Sequence, residues 1–400
     1  MARYDYVLAG GGAAGLALAY HLIQSPLGER SMLIVDPDAK ERNDRTWCFW
    51  TAHPTPFDRI VYRRWDRLLF ASDRLERRFE LAPYQYQMIR GIDYYRLIRQ
   101  ALAGRPNVTL LRARVERIED GAAEARVIAD GRTYGATWVF DSRFAASGFQ
   151  PASGRYRHVW QSFRGWLVEA AAPAFDPGVV TLFDLRTPQR GAMRFFYVLP
   201  LSERQALIEH TLFSPQLPAE EEYEQALSSY VERVLGVASY RIVEREAGLI
   251  PMTDRPFPRR AGQRVMNTGT RGGRVKATTG YAFLRIQRDS AAIVASLLRH
   301  GHPFAVPASP ARYRVFDALM LEILCRQGGD CHEIYSALFA ANPIRRVFRF
   351  LDEEGSWWEN LRLVATLPPG PFVGAVWGAL IIPPAPFFSH SGEKKGGSGG

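Results

Sequence analysis

The chain has 400 residues, with 51 Lys+Arg against 41 Asp+Glu and a formal net charge of +10. That length allows two or three domains and a large core, because single cores stop growing near about 250–300 residues. At 47% hydrophobic and 23% charged residues, the composition excludes long disorder and a polytopic membrane protein.

Residues 4–9 (YDYVLA) read as a short buried strand. The glycine turn GGG follows, then an Ala- and Leu-rich helix over 13–24 and a second strand over 31–35 ending in Asp36. Gly10, Gly12 and Gly15 occupy a GxGxxG pattern, with Ala13 and Ala14 between the last two. In that pattern the first glycine permits the tight turn, the second lets backbone approach a pyrophosphate, and the third allows close helix packing. The helix N-terminus offers free backbone donors to the anion. Asp36, 21 positions after Gly15, is placed to accept from the adenosine ribose hydroxyls. A dinucleotide unit at the very start of the chain favours FAD over NAD. The same stretch lacks the charged start and apolar core of a signal peptide.

From 107 to 139 short strands alternate with Gly and Asp turns, as expected of a hairpin-rich insert returning to a parallel sheet. Residues 155–250 alternate apolar and polar over several aromatic stretches, which predicts an antiparallel sheet walling a substrate cavity, interrupted by one helix over 219–234. A second glycine-rich segment, NTGTRGGRVKATTGYAF, contributes Gly272, Gly273, Thr279, Gly280 and Tyr281 as cofactor contacts. Helices are expected over 285–299, 311–326, 333–340 and 344–352, followed by a compositionally flexible tail. The resulting fold class is α/β: a Rossmann-type FAD-binding domain, an antiparallel-sheet substrate domain and C-terminal helices. The expected boundaries are 1–150 for the FAD-binding part, 151–250 for the substrate sheet, 251–300 for a return to the first domain, 301–388 for the helical region and 389–400 for the tail.

No stretch reaches the ~18–20 apolar residues of a spanning helix. The nearest, 372–388, is broken by Pro383, Pro384 and Pro386. Together with the basic helix 344–352 it forms either an interfacial membrane patch or part of the core. Lysine occurs at only four positions, so 47 of the 51 cations are arginine. Anionic lipid, acidic cofactors and codon usage each account for this. With no Walker A, HExxH or zinc-finger spacing, nucleic acid rests on charge alone and is not expected as a partner. Cys48, Cys325 and Cys331 share no metal spacing and fit a reduced compartment.

Glu209 stands within the apolar strand ALIEHTLF, sharing a face with Leu207 and Thr211. Facing an apolar cavity, its pKa would rise and it would hold a proton near neutral pH; facing solvent, it would be an ordinary surface acid. Glu353 and Glu354 in FLDEE read as solvated residues at a helix end.

In order along the chain, YDYVLAGGGAAGLALA, MLIVD, DRTWCFW, VFDSR, YVLPL with IEHTLFS, GLIPMTD and GGRVKATTGYAF resemble the lycopene cyclases of the bacterial β-cyclase type, over about residues 4–385. The resemblance implies conversion of lycopene through γ-carotene to β-carotene, an isomerisation that nevertheless requires reduced FAD, with NADPH as the reductant. It implies that the essential carboxylate of the family's acidic strand motif is Glu209 and that FLDEE, lying after TGYAF, is a decoy. His210 stands where plant members have a second acid, and Phe144 replaces the glycine of the family's Asp-x-Arg-Gly element. Trp47, Phe49, Trp50, Phe196 and Tyr197 are expected to line a carotenoid tunnel. The chain is then expected to be a cytoplasmic protein held peripherally at the inner face of the cell membrane. A redox flavoenzyme on a polyprenoid or aromatic substrate (a monooxygenase or reductase) and a non-catalytic flavin carrier are the competing readings.

Overall fold

The strand Ala2–Ala9 turns inward along its length, and its last four residues are fully buried. It forms the centre of a sheet in the computed structural model, which describes residues 1–149 and 156–381. The expected tail, 389–400, and the proline-broken end of the 372–388 run lie outside the described residues. Across this sheet the order is Val108–Leu111, Met32–Val35, Ala2–Ala9, Arg132–Asp141, Ala125–Ala129 and Val115–Glu119, with Val265–Asn267 pairing the far end of Arg132–Asp141. The first four run parallel. Burial on both faces explains why MLIV reads as a continuous apolar run. The hairpins at 115–141 are antiparallel, and Val265–Asn267 brings the chain back from the second unit. Helix Ala13–Ile23 packs against Phe283–His300, which ends on Gly301 at φ 68°, a left-handed stop that glycine takes without strain.

The second sheet has seven strands, in the order Tyr240–Thr253, His158–Ala170, Gln205–Ser214, Met193–Pro200, Val179–Asp184, Arg67–Ser72 and Leu75–Glu80. The substrate sheet is therefore not confined to 151–250. The hairpin 67–80 comes from the first 150 residues and joins through a parallel pairing of Arg67–Ser72 with Val179–Asp184. A parallel pairing between strands more than a hundred residues apart leaves no local turn signal, which is why sequence pattern misses it. A third small sheet, Thr46–Thr51, Gln85–Arg90 and Arg63–Trp65, lies between the two.

Strand alternation gives the second sheet two faces. Phe196, Val198, Ala206 and Ile208 pack with Leu227 and Tyr230. Phe195, Tyr197, Leu199, Leu207 and Phe213 face a larger core shared with the C-terminal helices. Residues 219–234 are α-helical over Glu220–Ser229 and then widen into a π-turn at Tyr230–Val234. C-terminal helices span Ala311–Gln327, Cys331–Ala341, Ile344–Leu351, Trp357–Val364 and Pro369–Ile381. In Ile344–Leu351 the apolar face (Ile344, Val347, Phe348 and Leu351) is buried, and Phe348 stacks on Trp50 with centroids 4.6 Å apart. Core packing, not lipid, occupies that helix. Among the described residues no helix is long and apolar enough to cross a membrane.

Candidate functional site

A cavity of about 840 Å³ runs from the glycine turn to the second sheet. At its outer end Gly10 adopts φ 107°, a conformation that favours glycine. A Cβ on Gly15 would stand 1.9 Å from the Gly10 carbonyl oxygen, whereas one on Gly12 would meet nothing within 4 Å. Gly15 is thus a packing residue, and Gly12 leaves open room beside the helix N-terminus, where the first-turn amides have no intrahelical acceptor. Asp36 lines the cavity and accepts from the Gly11 amide at 2.6 Å. Lys40, Arg114 and Arg271 bring positive charge to the same walls.

Thr279, Gly280 and Tyr281 line the cavity from the other side. Gly280 has φ 73°, and its Cβ would stand 1.7 Å from Gln161 Oε1. Gln161 Oε1 and Thr279 Oγ1 are buried without a hydrogen-bond partner, so both are free to meet a ligand. Gly272 and Gly273 do not line the cavity. They close the turn at Gly269–Gly272, where a Cβ on Gly272 would meet the Asn267 carbonyl at 2.5 Å. Their neighbours Thr270 and Arg271 face the cavity instead. Ala14 likewise serves packing, lying 2.7 Å from where a Cβ of Gly269 would be. Open room at a helix N-terminus, an acidic residue at one end and unpartnered polar atoms at the other fit an extended dinucleotide.

Glu209 lies on the cavity wall, cross-strand from Tyr197 on one side and Gly165 on the other. Thr211 Oγ1 donates to Glu209 Oε1 at 2.7 Å. Burial, and then the nearby Glu246 carboxyl, push the Glu209 pKa up to about 8, so it is mostly protonated at neutral pH. Tyr86 and Tyr281 share a hydroxyl hydrogen bond of 2.9 Å, and both line the cavity with Cys48 and Tyr197. Burial raises the Cys48 thiol pKa as well, with Glu209 and Glu246 adding to it. His210 points the other way: it is 1% exposed and stacked 4.6 Å from Phe196. Burial, with Arg194 and Arg190 adding, lowers its pKa to about 3, so it remains neutral and away from the cavity.

Of the expected tunnel residues, Trp47 and Tyr197 line the cavity. Phe49 is buried instead against Phe283, centroids 5.1 Å apart. Trp50 is packed on Phe348 and borders a separate pocket of about 180 Å³. Phe196 lies on the opposite sheet face, stacked 3.8 Å from Tyr230. Strand alternation explains Phe196, the neighbour of lining Tyr197, whereas Phe49 and Trp50 share faces with lining Trp47 and Cys48 and lie one step further along the strand, where Phe283 and Phe348 cover them. Sequence pattern did not single out Phe163, Tyr86 or Cys48 as wall residues, nor Glu246 beside Glu209. Each reaches the site through long-range strand pairing, although Cys48 lies inside DRTWCFW.

The solvated reading of FLDEE holds only for Glu354. Glu353 is 10% exposed and lies 3.0 Å from Lys276 and 3.2 Å from Arg285. The helix end folds back onto the KATTGYAF loop, so this carboxylate is an internal ion-pair partner.

No curated protein matches the chain in sequence. Its fold is shared with a geranylgeranyl bacteriochlorophyll reductase-like protein from Thermoplasma acidophilum (TM-score 0.60, 11% identity, 96% of this chain and 100% of that one). It is shared also with a flavoprotein/dehydrogenase from Cytophaga hutchinsonii (TM-score 0.63, 13% identity, 94% and 99%). A third relative in fold is pqsL, a probable FAD-dependent monooxygenase from Pseudomonas aeruginosa (TM-score 0.55, 15% identity, 91% and 99%). Such low identities establish the architecture and leave the chemistry open. The family model described as lycopene cyclase protein matches residues 5–376. With nearly its whole length matched, the chain belongs to the lycopene cyclase family.

Proposed function

We propose that the protein is an FAD-dependent lycopene β-cyclase that converts lycopene through γ-carotene to β-carotene without net oxidation or reduction. The observation that carries this reading is Glu209: a carboxyl with its pKa raised to about 8, on the wall of the cavity that also holds the dinucleotide turn.

A ψ end has a terminal double bond that a proton converts to a tertiary cation. Attack by the neighbouring double bond closes a six-membered ring, and loss of a ring proton gives the β end. Glu209 hands over the proton and, as carboxylate, takes one back from the ring. Thr211 fixes the carboxyl orientation through its hydroxyl. Trp47, Tyr86, Tyr197 and Tyr281 keep water from the cation, and their ring faces favour positive charge. When bound, reduced FAD supplies electron density that stabilises the developing cation, and NADPH keeps it reduced. Gly10, Gly12, Ala13 and Asp36 would hold the adenosine and pyrophosphate portion, and Thr279, Gly280 and Tyr281 the ring portion.

The substrate lives in a bilayer, so the protein docks peripherally on the inner face of the cell membrane. Trp357 and Trp358 are 54% and 73% exposed, with Val373 and Val376 exposed on the helix after them. Indole rings favour the headgroup level, which supports membrane contact further along the chain than helix 344–351. The competing reading, a redox flavoenzyme, draws on the reductase and monooxygenase relatives in fold.

Expression in a lycopene-accumulating bacterium, with pigment analysis, separates the readings. Yellow cyclised pigment supports cyclisation. Persistent red lycopene beside soluble, flavin-bearing protein refutes it, and an oxygenated or reduced carotenoid points to the redox alternative.

A further inference from the structure

Glu209 has a second carboxylate beside it, contributed by a different strand. In the seven-stranded sheet Gly165 is paired with Glu209 on one neighbour and with Glu246 on the other. All three positions therefore share one face, and the middle one has no side chain. A Cβ on Gly165 would stand 2.8 Å from Glu246 Cγ and 3.2 Å from its Oε1, so the Glu246 side chain leans over the glycine towards Glu209. Thr46 Oγ1 donates to Glu246 Oε2 at 2.8 Å and anchors that oxygen from the DRTWCFW strand. Glu246 Oε1 is buried and has no donor among the described residues, unless Glu209 carries a proton. An unpaired carboxylate oxygen at this depth is costly, and a protonated carboxyl beside it removes that cost.

We propose that Glu246 is a positioning residue that keeps one proton on Glu209, its carboxylate accepting a hydrogen bond from the Glu209 carboxyl across the side-chain-free Gly165. The proposal rests on the cyclase reading and supplies the paired acid that His210 cannot. One proton is held by two carboxyl groups. It leaves Glu209 to form the new C–H bond at the terminal alkene, and the ring cation then faces two carboxylates. The proton lost from the ring returns to the pair, so the balance closes with no other reactant. The groups facing the pair are Cys48, Tyr197 and Thr211 around Glu209, and Thr46, Arg45 and Glu244 around Glu246. Burial raises the Glu246 pKa, and the hydrogen bonds from Thr46 and Glu209 and the charge of Arg45, the one cation among them, act against it.

The test compares flavin-loaded wild type, Glu246→Gln and Gly165→Ala for cyclisation across pH, with infrared titration of the carboxyl stretch. In Glu246→Gln the repulsion that holds the proton is gone. The basic limb of turnover is expected to move down by about one pH unit or more, giving roughly a tenfold loss at a pH above the shifted limb that is recovered in acid, with KM unchanged. Gly165→Ala is expected to do the same by wedging the carboxyls apart. An unshifted profile, or an equal loss at every pH, overturns the proposal. Infrared spectra judge the pair without turnover: a protonated carboxyl at neutral pH in wild type, absent from Glu209→Gln and reduced in Glu246→Gln, supports it, and its absence from wild type or its full retention in Glu246→Gln refutes it. Wild type that makes no cyclised pigment sinks the cyclase reading and leaves the infrared result to decide the pairing.

Discussion

Lys276→Met is expected to loosen the C-terminal helices from the cofactor loop. Lys276 is 4% exposed, and its ammonium donates to Asp317 at 2.6 and 2.8 Å and to Glu353 at 3.0 Å. Asp317 belongs to Ala311–Gln327, and Glu353 follows Ile344–Leu351. A single cation in KATTGYAF thus ties two helices to the loop that carries Gly280. Removing one partner of a buried pair costs about 3–5 kcal/mol, because the other charge is left uncompensated. Arg285, 3.2 Å from Glu353, and the Thr278 hydroxyl, 3.0 Å from Asp317, retain part of the compensation. The low end, about 3 kcal/mol, is therefore expected, which is roughly a hundredfold in a local opening equilibrium.

Amide exchange of 311–327 and 344–351, followed by mass spectrometry, reads this directly. Acidification should narrow the difference between variant and wild type. Burial pushes the Glu353 pKa up, but Lys276 and Arg285 together outweigh it and hold the group below its ordinary value. The stabilisation is therefore present above the ordinary Glu range, near pH ~4.3, and is lost as pH falls through the lower folded value. Exchange within about threefold of wild type, under ~0.7 kcal/mol, or a difference that grows in acid, would refute the ion-pair argument.

Gly280→Ala combines a φ of 73° with a Cβ placed 1.7 Å from Gln161 Oε1; flavin content after purification should fall severalfold, and full retention would remove this loop from the cofactor site. His210→Phe replaces a buried ring whose two nitrogens lack partners. Unfolding measurements should show no loss of stability, and a gain of up to about 1 kcal/mol, with cyclisation retained. A large loss of turnover would bring His210 into the mechanism. With the Glu209 pKa near 8, turnover should decline as pH rises through that value, because the acid form is consumed. The sign for stability is the same: a raised folded pKa contributes below the ordinary Glu range and is lost on the way up to about 8. A flat profile to pH ~10, where tyrosine begins to titrate, would exclude Glu209 as the donor.

Local signals carried the dinucleotide unit. Strand, glycine turn, helix and Asp36 all fall within 36 consecutive residues, where propensity and hydrogen bonding act over short range. The helices Ala311–Gln327, Cys331–Ala341 and Ile344–Leu351 are legible for a similar reason, since their apolar spacing and bounding prolines are local, whereas Trp357–Val364, a short helix, is not among the expected ones. Glu246 is not legible. YRIVEREAG carries three consecutive charged residues, Glu244, Arg245 and Glu246, as an exposed edge strand would, and nothing in it says that Gly165, 81 positions earlier, opens a path to Glu209. Glu353 reads as a solvated helix end because its partners, Lys276 and Arg285, approach only after the helices pack. Phe49, Trp50 and Phe196 read as tunnel residues because aromatic content is legible, whereas the sheet face of Phe196 and the tertiary partners that cover Phe49 and Trp50 are not.

The central claim is that ring closure begins with a proton delivered from Glu209. Running the purified, flavin-loaded protein with reductant and lycopene in deuterated water, and weighing the product, tests it most directly. With the carboxyl pair exchanging its proton with solvent between ring closures, the expected product is β-carotene carrying one deuterium per ring, with no oxygen uptake beyond the control and no product from Glu209→Gln. Cyclised product without deuterium, full turnover by Glu209→Gln, or oxygen consumed in step with product would contradict it.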